Sequence, residues 1–314
     1  MPDIVVMFFV LGLVAGLLKS DLSIPKAAYD TLSLLLMLTI GLKGGMGLHG
    51  NLTWSLVPEL LLVAALGAVI PLLIFPLAKS ILRLSIADSA SICAHYGSVS
   101  AGTFAVALAY AHTQNLVLGP ETTLYLVLLE LPAIMVGLAL YRRYAAPTQT
   151  QVTKLDLLHE TFTNRGVVLL AGGVIIGYMY GPLQGSEVTT LFIGAFKAIL
   201  AIFLLEMGLT AAETLRPLPK AHWRLFIFAV LAPLALASLG MLAAAVLALP
   251  AGSALILATL TASASYIAAP AAIRAAIPEA DIGLAMLASL GFTFPFNVMI
   301  GIPLYDAWIH AWML

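Results

Sequence analysis

Apolar residues fill this chain in continuous Leu- and Ala-rich stretches rather than in alternation. Alternation with period two marks membrane strands, so a β-barrel does not fit. Unbroken runs of about 20 apolar residues mark membrane-crossing helices. The stretches predict ten spans: Ile4–Leu18, Ala28–Leu42, Pro58–Leu82, Ile86–Ala111, Pro120–Tyr141, Gly166–Tyr180, Thr189–Ala212, His222–Leu249, Ser253–Ala276 and Ile282–Trp308. Polar residues collect at Arg142–Arg165 and again at Leu215–Arg224. The first stretch carries Asp3, lacks a basic leader and is followed by no small-residue cleavage pattern. It therefore reads as a span and not as a signal peptide.

Composition agrees. Of 314 residues, 62% are hydrophobic and 9% charged, and the mean hydropathy is +1.07. Soluble domains carry about 25% charged residues. A soluble enzyme, a disordered chain and a nucleic-acid binder are excluded, the last because a net charge of -1 offers no basic face. The single Cys93 excludes a disulfide framework and a cysteine-ligated metal.

Charge sets the orientation. Twelve of the fourteen Lys and Arg residues fall after the first, third, fifth, seventh and ninth spans. By the positive-inside rule those connections are cytoplasmic, so both termini face outward in a cell (inner or plasma) membrane. The other two are Lys43, expected at the surface beyond a glycine hinge, and Lys197, expected to snorkel to the outer interface.

The two halves resemble each other. Leu129–Tyr141 (LELPAIMVGLALY) aligns with Thr293–Tyr305 (TFPFNVMIGIPLY) at a shift of 164. TIGLKGG at Thr39–Gly45 matches EMGLTAA at Glu206–Ala212 at 167, and hydroxyl-rich stretches surround Tyr96 and Tyr266 at 170. Spans one and six share GxxxG, at Gly12/Gly16 and Gly173/Gly177. A five-helix unit crosses an odd number of times, so its second copy enters from the opposite side. The expected fold is an all-α polytopic membrane protein of ten transmembrane helices in two inverted five-helix repeats, the architecture of secondary transporters. The repeats are residues 1–145 and 164–314, with a cytoplasmic linker at 146–163.

Spans four and nine each contain a break. The fourth reads HYGSVSAGT from His95 to Thr103, loosened by Gly97 and Gly102; the ninth reads TASASYIAAP from Thr261 to Pro270. Unwound backbone at membrane depth is tolerated only in a protein-lined or wet cavity. A broken helix offers N–H groups and a positive dipole end to a small anion, and free carbonyls to Na⁺. Ser98, Ser100, Thr103, Ser263 and Ser265 add hydroxyls. The competing reading is close helix packing through small residues. Inside spans, Glu130 before Pro132 suits Na⁺ or a proton, and Asn297, near it in the repeat alignment, suits a cation. Glu206 is similar but less defined. His95 reads as a packing residue, and Asp88 and Asp281 as helix caps. His159-Glu160 lacks the second His of HExxH, Ser98 and Ser100 lack a GxSxG frame, and no P-loop is present, so an enzyme or ATP-driven pump is not expected.

These residues resemble the SbtA-type sodium-dependent bicarbonate transporters over nearly the whole chain. The resemblance rests on Ile40–Gly45 (IGLKGG), Asp88, Gly97–Thr103 (GSVSAGT), Glu130–Ala133 (ELPA) and Ala262–Pro278. It implies a trimer whose core, spans 3–5 and 8–10, moves like an elevator against a gate of spans 1, 2, 6 and 7. It implies symport of bicarbonate and Na⁺, with no other cofactor, and a possible PII-like cytoplasmic regulator. Carried onto this chain, substrate falls to Gly97, Ser98, Val99, Ser100, Thr103, Ser263, Ala264, Ser265, Ala268 and Ala269. Na⁺ falls to Glu130, Tyr266, Asn297 and Thr261. Tyr266 stands where the family has Asp, Ala269-Pro270-Ala271 where it has Gly-Pro-Pro, and Glu130 where it has Asp. Two alternatives stay open: a Na⁺- or H⁺-coupled carrier of another small anion such as a carboxylate, and a non-transporting membrane receptor or scaffold.

Overall fold

The computed structural model describes residues 3–145, 163, 165–215 and 223–312. Most of the polar stretch 142–165, with Lys154 and His159-Glu160, lies outside them, as do Arg216, Lys220 and His222. The described residues are helical, without strands.

Helix α1 (Ile4–Leu17) is capped by the Asp3 side chain. Helices α2 (Lys26–Leu48) and α3 (Val57–Ser80) follow. The fourth stretch is two helices, α4 (Ile86–Gly97) and α5 (Ala101–Thr113), and α6 (Leu124–Tyr144) carries Pro132. Helix α7 runs Arg165–Leu215 with a kink at Gly181. Then come α8 (Trp223–Val246), α9 (Ala251–Thr261) and α10 (Ala268–Ala276). The last, α11, spans Ile282–Trp312 and includes π-helical stretches at Leu287–Thr293 and Asn297–Gly301. Among the described residues seven helices are long and apolar enough to cross a membrane, and Ile4–Leu17 and Ala251–Thr261 are shorter apolar ones.

Three expectations need correction. Spans six and seven are not separated by a loop at 181–188: the helix resumes after Gly181, whose φ of 65° reverses the backbone at one residue. A Cβ there would run into the His49 ring, whose Nδ1 bonds Tyr178 O at 2.6 Å. Lys43 is not beyond the end of its helix. α2 continues to Leu48, which leaves Lys43 half-buried on its penultimate turn, 2.8 Å from His112 Nε2. Asp88 is not the terminal cap of α4. Ser85 is, accepting from the Asp88 amide at 3.0 Å and donating its hydroxyl to the Asp88 carboxylate at 2.7 Å. Asp88 also accepts from the Asp281 amide at 2.8 Å and so ties the start of α4 to the start of α11, where Asp281 is the expected cap.

Helices pack through small residues. Gly12 and Gly16 of α1 lie against Leu205–Ala212, late in α7, whereas Gly41 and Gly45 of α2 lie against Leu170–Tyr178, early in α7. Gly173 and Gly177 return that contact to α2. Such close approach favours association in lipid, where apolar burial drives nothing. The broken pair α4–α5 is buried almost throughout, while α1 and α7 expose Ile4, Leu18, Leu183 and Leu191.

Candidate functional site

The two broken stretches meet in the interior. Between α4 and α5 the chain is extended at Ser98 (ψ 176°) and Ser100 (ψ 113°), because the α4 C-terminus and the α5 N-terminus are separate helix ends. Ser100 caps α5: its Oγ accepts from the Thr103 amide at 3.0 Å and from the Thr103 hydroxyl at 2.8 Å. Between α9 and α10, Ser265 Oγ accepts from the Ala269 amide at 3.2 Å, and Pro270 in the first turn of α10 has no N–H to satisfy.

Each break then completes the other. The Ser100 amide donates to Ser263 Oγ at 3.0 Å, and the Ser265 amide donates to the His95 carbonyl at 2.8 Å. The Ser263 hydroxyl donates onward to Leu260 O at 2.8 Å. Two backbone amides that a helix would have used internally are thus satisfied by the opposite break. The crossing also opposes charges. The C-terminal ends of α4 and α9 present partial negative charge, and the N-terminal ends of α5 and α10 partial positive charge, worth roughly half an elementary charge each.

A pocket opens at this crossing, bounded by Val99, Ser100, Ser265, Tyr266 and Ala268 on the breaks and by Glu130 of α6. Its far wall is α2 and the start of α7, with Ser33, Met37 and Arg165. Glu130 is buried at 8% exposure and has no hydrogen-bond or ion-pair partner among the described residues. Arg165 is paired with Asp30 at 2.7 Å, so its charge is already countered. The Ser98 hydroxyl is fully buried with no partner. The Tyr266 hydroxyl faces Ser100 and the Gly102 amide without completing a bond to either, and its ring meets Phe294 edge-on, centroids 5.4 Å apart.

The sequence-derived residues divide. Val99, Ser100, Ser265, Ala268, Tyr266 and Glu130 share the pocket. Gly97, Ser98, Thr103, Ser263, Ala264 and Ala269 are buried in the segments behind it. Thr261 and Asn297 stand apart from the pocket as bracing groups. Thr261 donates toward Leu236 O, 2.9 Å away on α8. Asn297 donates to the Ala262 carbonyl at 2.9 Å and accepts from the Tyr305 hydroxyl at 2.8 Å. His95, Nδ1 to Ser91 O at 2.7 Å, packs as expected, although its Nε2 has no partner. Glu206 lies elsewhere, half-buried on the second part of α7.

A family model for the Na⁺-dependent bicarbonate transporter superfamily matches residues 4–310. The chain belongs to that superfamily. No curated protein sequence matches it. Membership makes it a Na⁺-dependent transporter of the bicarbonate class in a multi-pass membrane protein, and not an enzyme.

Within this superfamily member, sequence reasoning missed a second layer of support. Tyr96 OH bonds Thr293 Oγ1 at 2.7 Å, and Thr293 donates to Ala229 O at 2.8 Å, fixing α4 to α11 and α8. Thr293 closes one π-helical stretch and Asn297 opens the next, on either side of Pro295. Proline inside an apolar span was the available signal. The extra residue per turn is what aims Thr293 and Asn297 at neighbouring backbone.

Proposed function

We propose that this chain imports bicarbonate together with Na⁺ as a secondary active transporter, by elevator-type alternating access. The observation that carries this reading is the reciprocal bonding of the two breaks, Ser100 amide to Ser263 and Ser265 amide to His95, beside the uncommitted Glu130. No unpaired cationic side chain lines the pocket, so the helix ends alone cannot balance an anion. Bicarbonate there needs a companion cation, and Na⁺ held by helix-end carbonyls, hydroxyls and Glu130 supplies it. That is a physical basis for coupling. The N-terminal ends of α5 and α10, with Ser100 and Ser265, orient the anion. Thr261 and Asn297 are better cast as braces of the Na⁺ side than as ligands with free oxygens.

Ten crossings in two inverted five-helix repeats fit the helix pairing. Span one packs on span seven, and span two on span six, a swap that a two-fold axis in the membrane plane produces. The core would then be α3–α6 with α8–α11, and the gate α1, α2 and α7. The exposed apolar faces of α1 and α7 suit lipid and the contacts of a homotrimer, both termini lying outside. A PII-like regulator would meet the cytoplasmic face.

Uptake of radiolabelled bicarbonate into proteoliposomes, with and without an inward Na⁺ gradient, tests the reading. Na⁺-dependent accumulation is expected. Accumulation driven only by a proton gradient, or blocked by other carboxylates in competition, would replace bicarbonate–Na⁺ symport with the carriage of another anion. Absence of flux in every condition would leave a receptor or scaffold.

A further inference from the structure

A second cavity lies at the seam between α5 and the helices α2 and α7, lined by Thr39, Lys43, His112, Gly194, Phe196 and Lys197 among others. Two ammonium groups converge here from different helices. Lys43 on α2 has no carboxylate partner among the described residues. Its Nζ lies 2.8 Å from His112 Nε2. His112 Nδ1 is 2.6 Å from the Leu108 carbonyl, so it carries the ring proton and Nε2 is left to accept from Lys43. Lys197 on α7 donates to Thr113 Oγ1 at 2.9 Å. Thr113 in turn donates to Asp3 at 3.3 Å, a half-buried carboxylate that caps α1 and forms no ion pair with either lysine.

The hydrogen-bond arithmetic leaves a surplus. An ammonium has three N–H donors. Each lysine spends one on a neutral acceptor, so four donors and two positive charges remain beside a cavity whose other walls are mainly apolar. Lys43 is half-buried and has no counter-ion among the described residues, which is costly in an apolar surround, and the exposed Lys197 adds a second positive charge at the cavity rim. A small planar oxyanion bridging them would supply both the charge and the acceptors. The cavity sits about 18 Å from Ser100, twelve residues along α5 at 1.5 Å each.

We propose that Lys43 and Lys197 form a second oxyanion site at this seam, distinct from the crossing of the breaks. It collects bicarbonate at the outer end of α5 before the anion reaches the pocket; this role, though not the site, rests on the import reading above. A doubly positive cavity raises the local anion concentration and the capture rate, an effect that salt screens. The site therefore governs the half-saturating bicarbonate concentration and leaves the maximal rate alone.

The test compares wild type with Lys43→Gln, Lys197→Gln and the double variant. In proteoliposomes at low ionic strength the double variant is expected to raise half-saturating bicarbonate about three- to tenfold, with maximal rate within about twofold. Choline gluconate should erase most of that difference at fixed Na⁺, and Lys197→Arg should restore it. An unchanged half-saturation in the double variant, while wild type transports, overturns the proposal. A binding arm is independent of transport: NMR line broadening of isotope-labelled bicarbonate by protein in nanodiscs without Na⁺. Broadening lost in the double variant supports the site even if wild type shows no Na⁺-driven uptake. Broadening that is absent in wild type, or retained in the double variant, overturns it.

Discussion

Ser98 has a fully buried hydroxyl that bonds to nothing among the described residues. Leaving such a group unsatisfied costs about 1–3 kcal/mol, and Ser98 sits directly behind pocket-lining Val99, where a substrate seated deeper than the pocket floor would satisfy it. Ser98→Ala should therefore separate function from folding. Thermal melting in detergent should show unchanged or slightly raised stability, by roughly 1 kcal/mol, as the unpaired group is removed. Uptake should fall about tenfold, the loss of one hydrogen bond to a charged ligand. Equal uptake would return Ser98 to packing. Glu130 makes the complementary case, a carboxylate in the pocket without a partner. Glu130→Gln keeps its shape and removes its charge. It should raise the half-saturating Na⁺ concentration about tenfold or more, and a Na⁺ titration of uptake measures it. The chemistry at this scale was legible in the sequence as residue types: the hydroxyls and the lone acid were visible by inspection. Their commitments were not. Asn297 and Glu130 lie close together in the repeat alignment, yet Asn297 bonds Ala262 and Tyr305 while Glu130 has no partner among the described residues. Those partners lie 35 and 8 residues away on other turns, beyond any local pattern.

The elements matter through how closely the two breaks cross. Gly102, in the first turn of α5, leaves room for the Tyr266 hydroxyl from the other break, and a Cβ at 102 would collide with it. Gly102→Ala should push Tyr266 off the crossing and shift the pocket wall. A displacement of this kind can cost about a hundredfold in rate. Removal of the obstructing oxygen should recover part of the loss: the double variant Gly102→Ala with Tyr266→Phe should transport better than Gly102→Ala alone. If the double variant is no better, the two residues do not touch in the working protein. The breaks themselves were readable, since Gly97, Gly102 and Pro270 interrupt otherwise apolar spans. The π-helical stretches of α11 were not, because Pro295 predicts a kink but not the inserted residues around it. Lys43 was misplaced for a related reason. A glycine before Lys43 reads as a hinge at a helix end on propensity alone, but Gly41 and Gly45 are there to admit the α7 backbone, and the helix runs through both.

At the scale of the whole molecule, the charge pattern and the pairing of helices make one claim about sidedness. Ile81 follows α3 beside Arg83, at an end rich in basic residues, and Val117 follows α5 near His112 and Lys197. One crossing, the broken α4–α5 pair, separates them, although neither half is long enough to span a bilayer of about 30 Å alone. If the break is a midpoint within one traversal, the two positions lie on opposite faces. Both are open to reagent, at 58% and 69% exposure, and the native Cys93 is fully buried and silent. Val117→Cys in intact cells should react with a membrane-impermeant maleimide, and Ile81→Cys should react only after permeabilisation. The reverse pattern would overturn the positive-inside orientation and place the Lys43–Lys197 cavity on the cytoplasmic face. Labelling of both from one side would be more damaging. It would make α4 and α5 a re-entrant pair that never crosses, and five crossings per repeat would become four. An even unit would then insert its second copy parallel to the first, and the swapped pairing of α1 and α2 along α7 would need another cause.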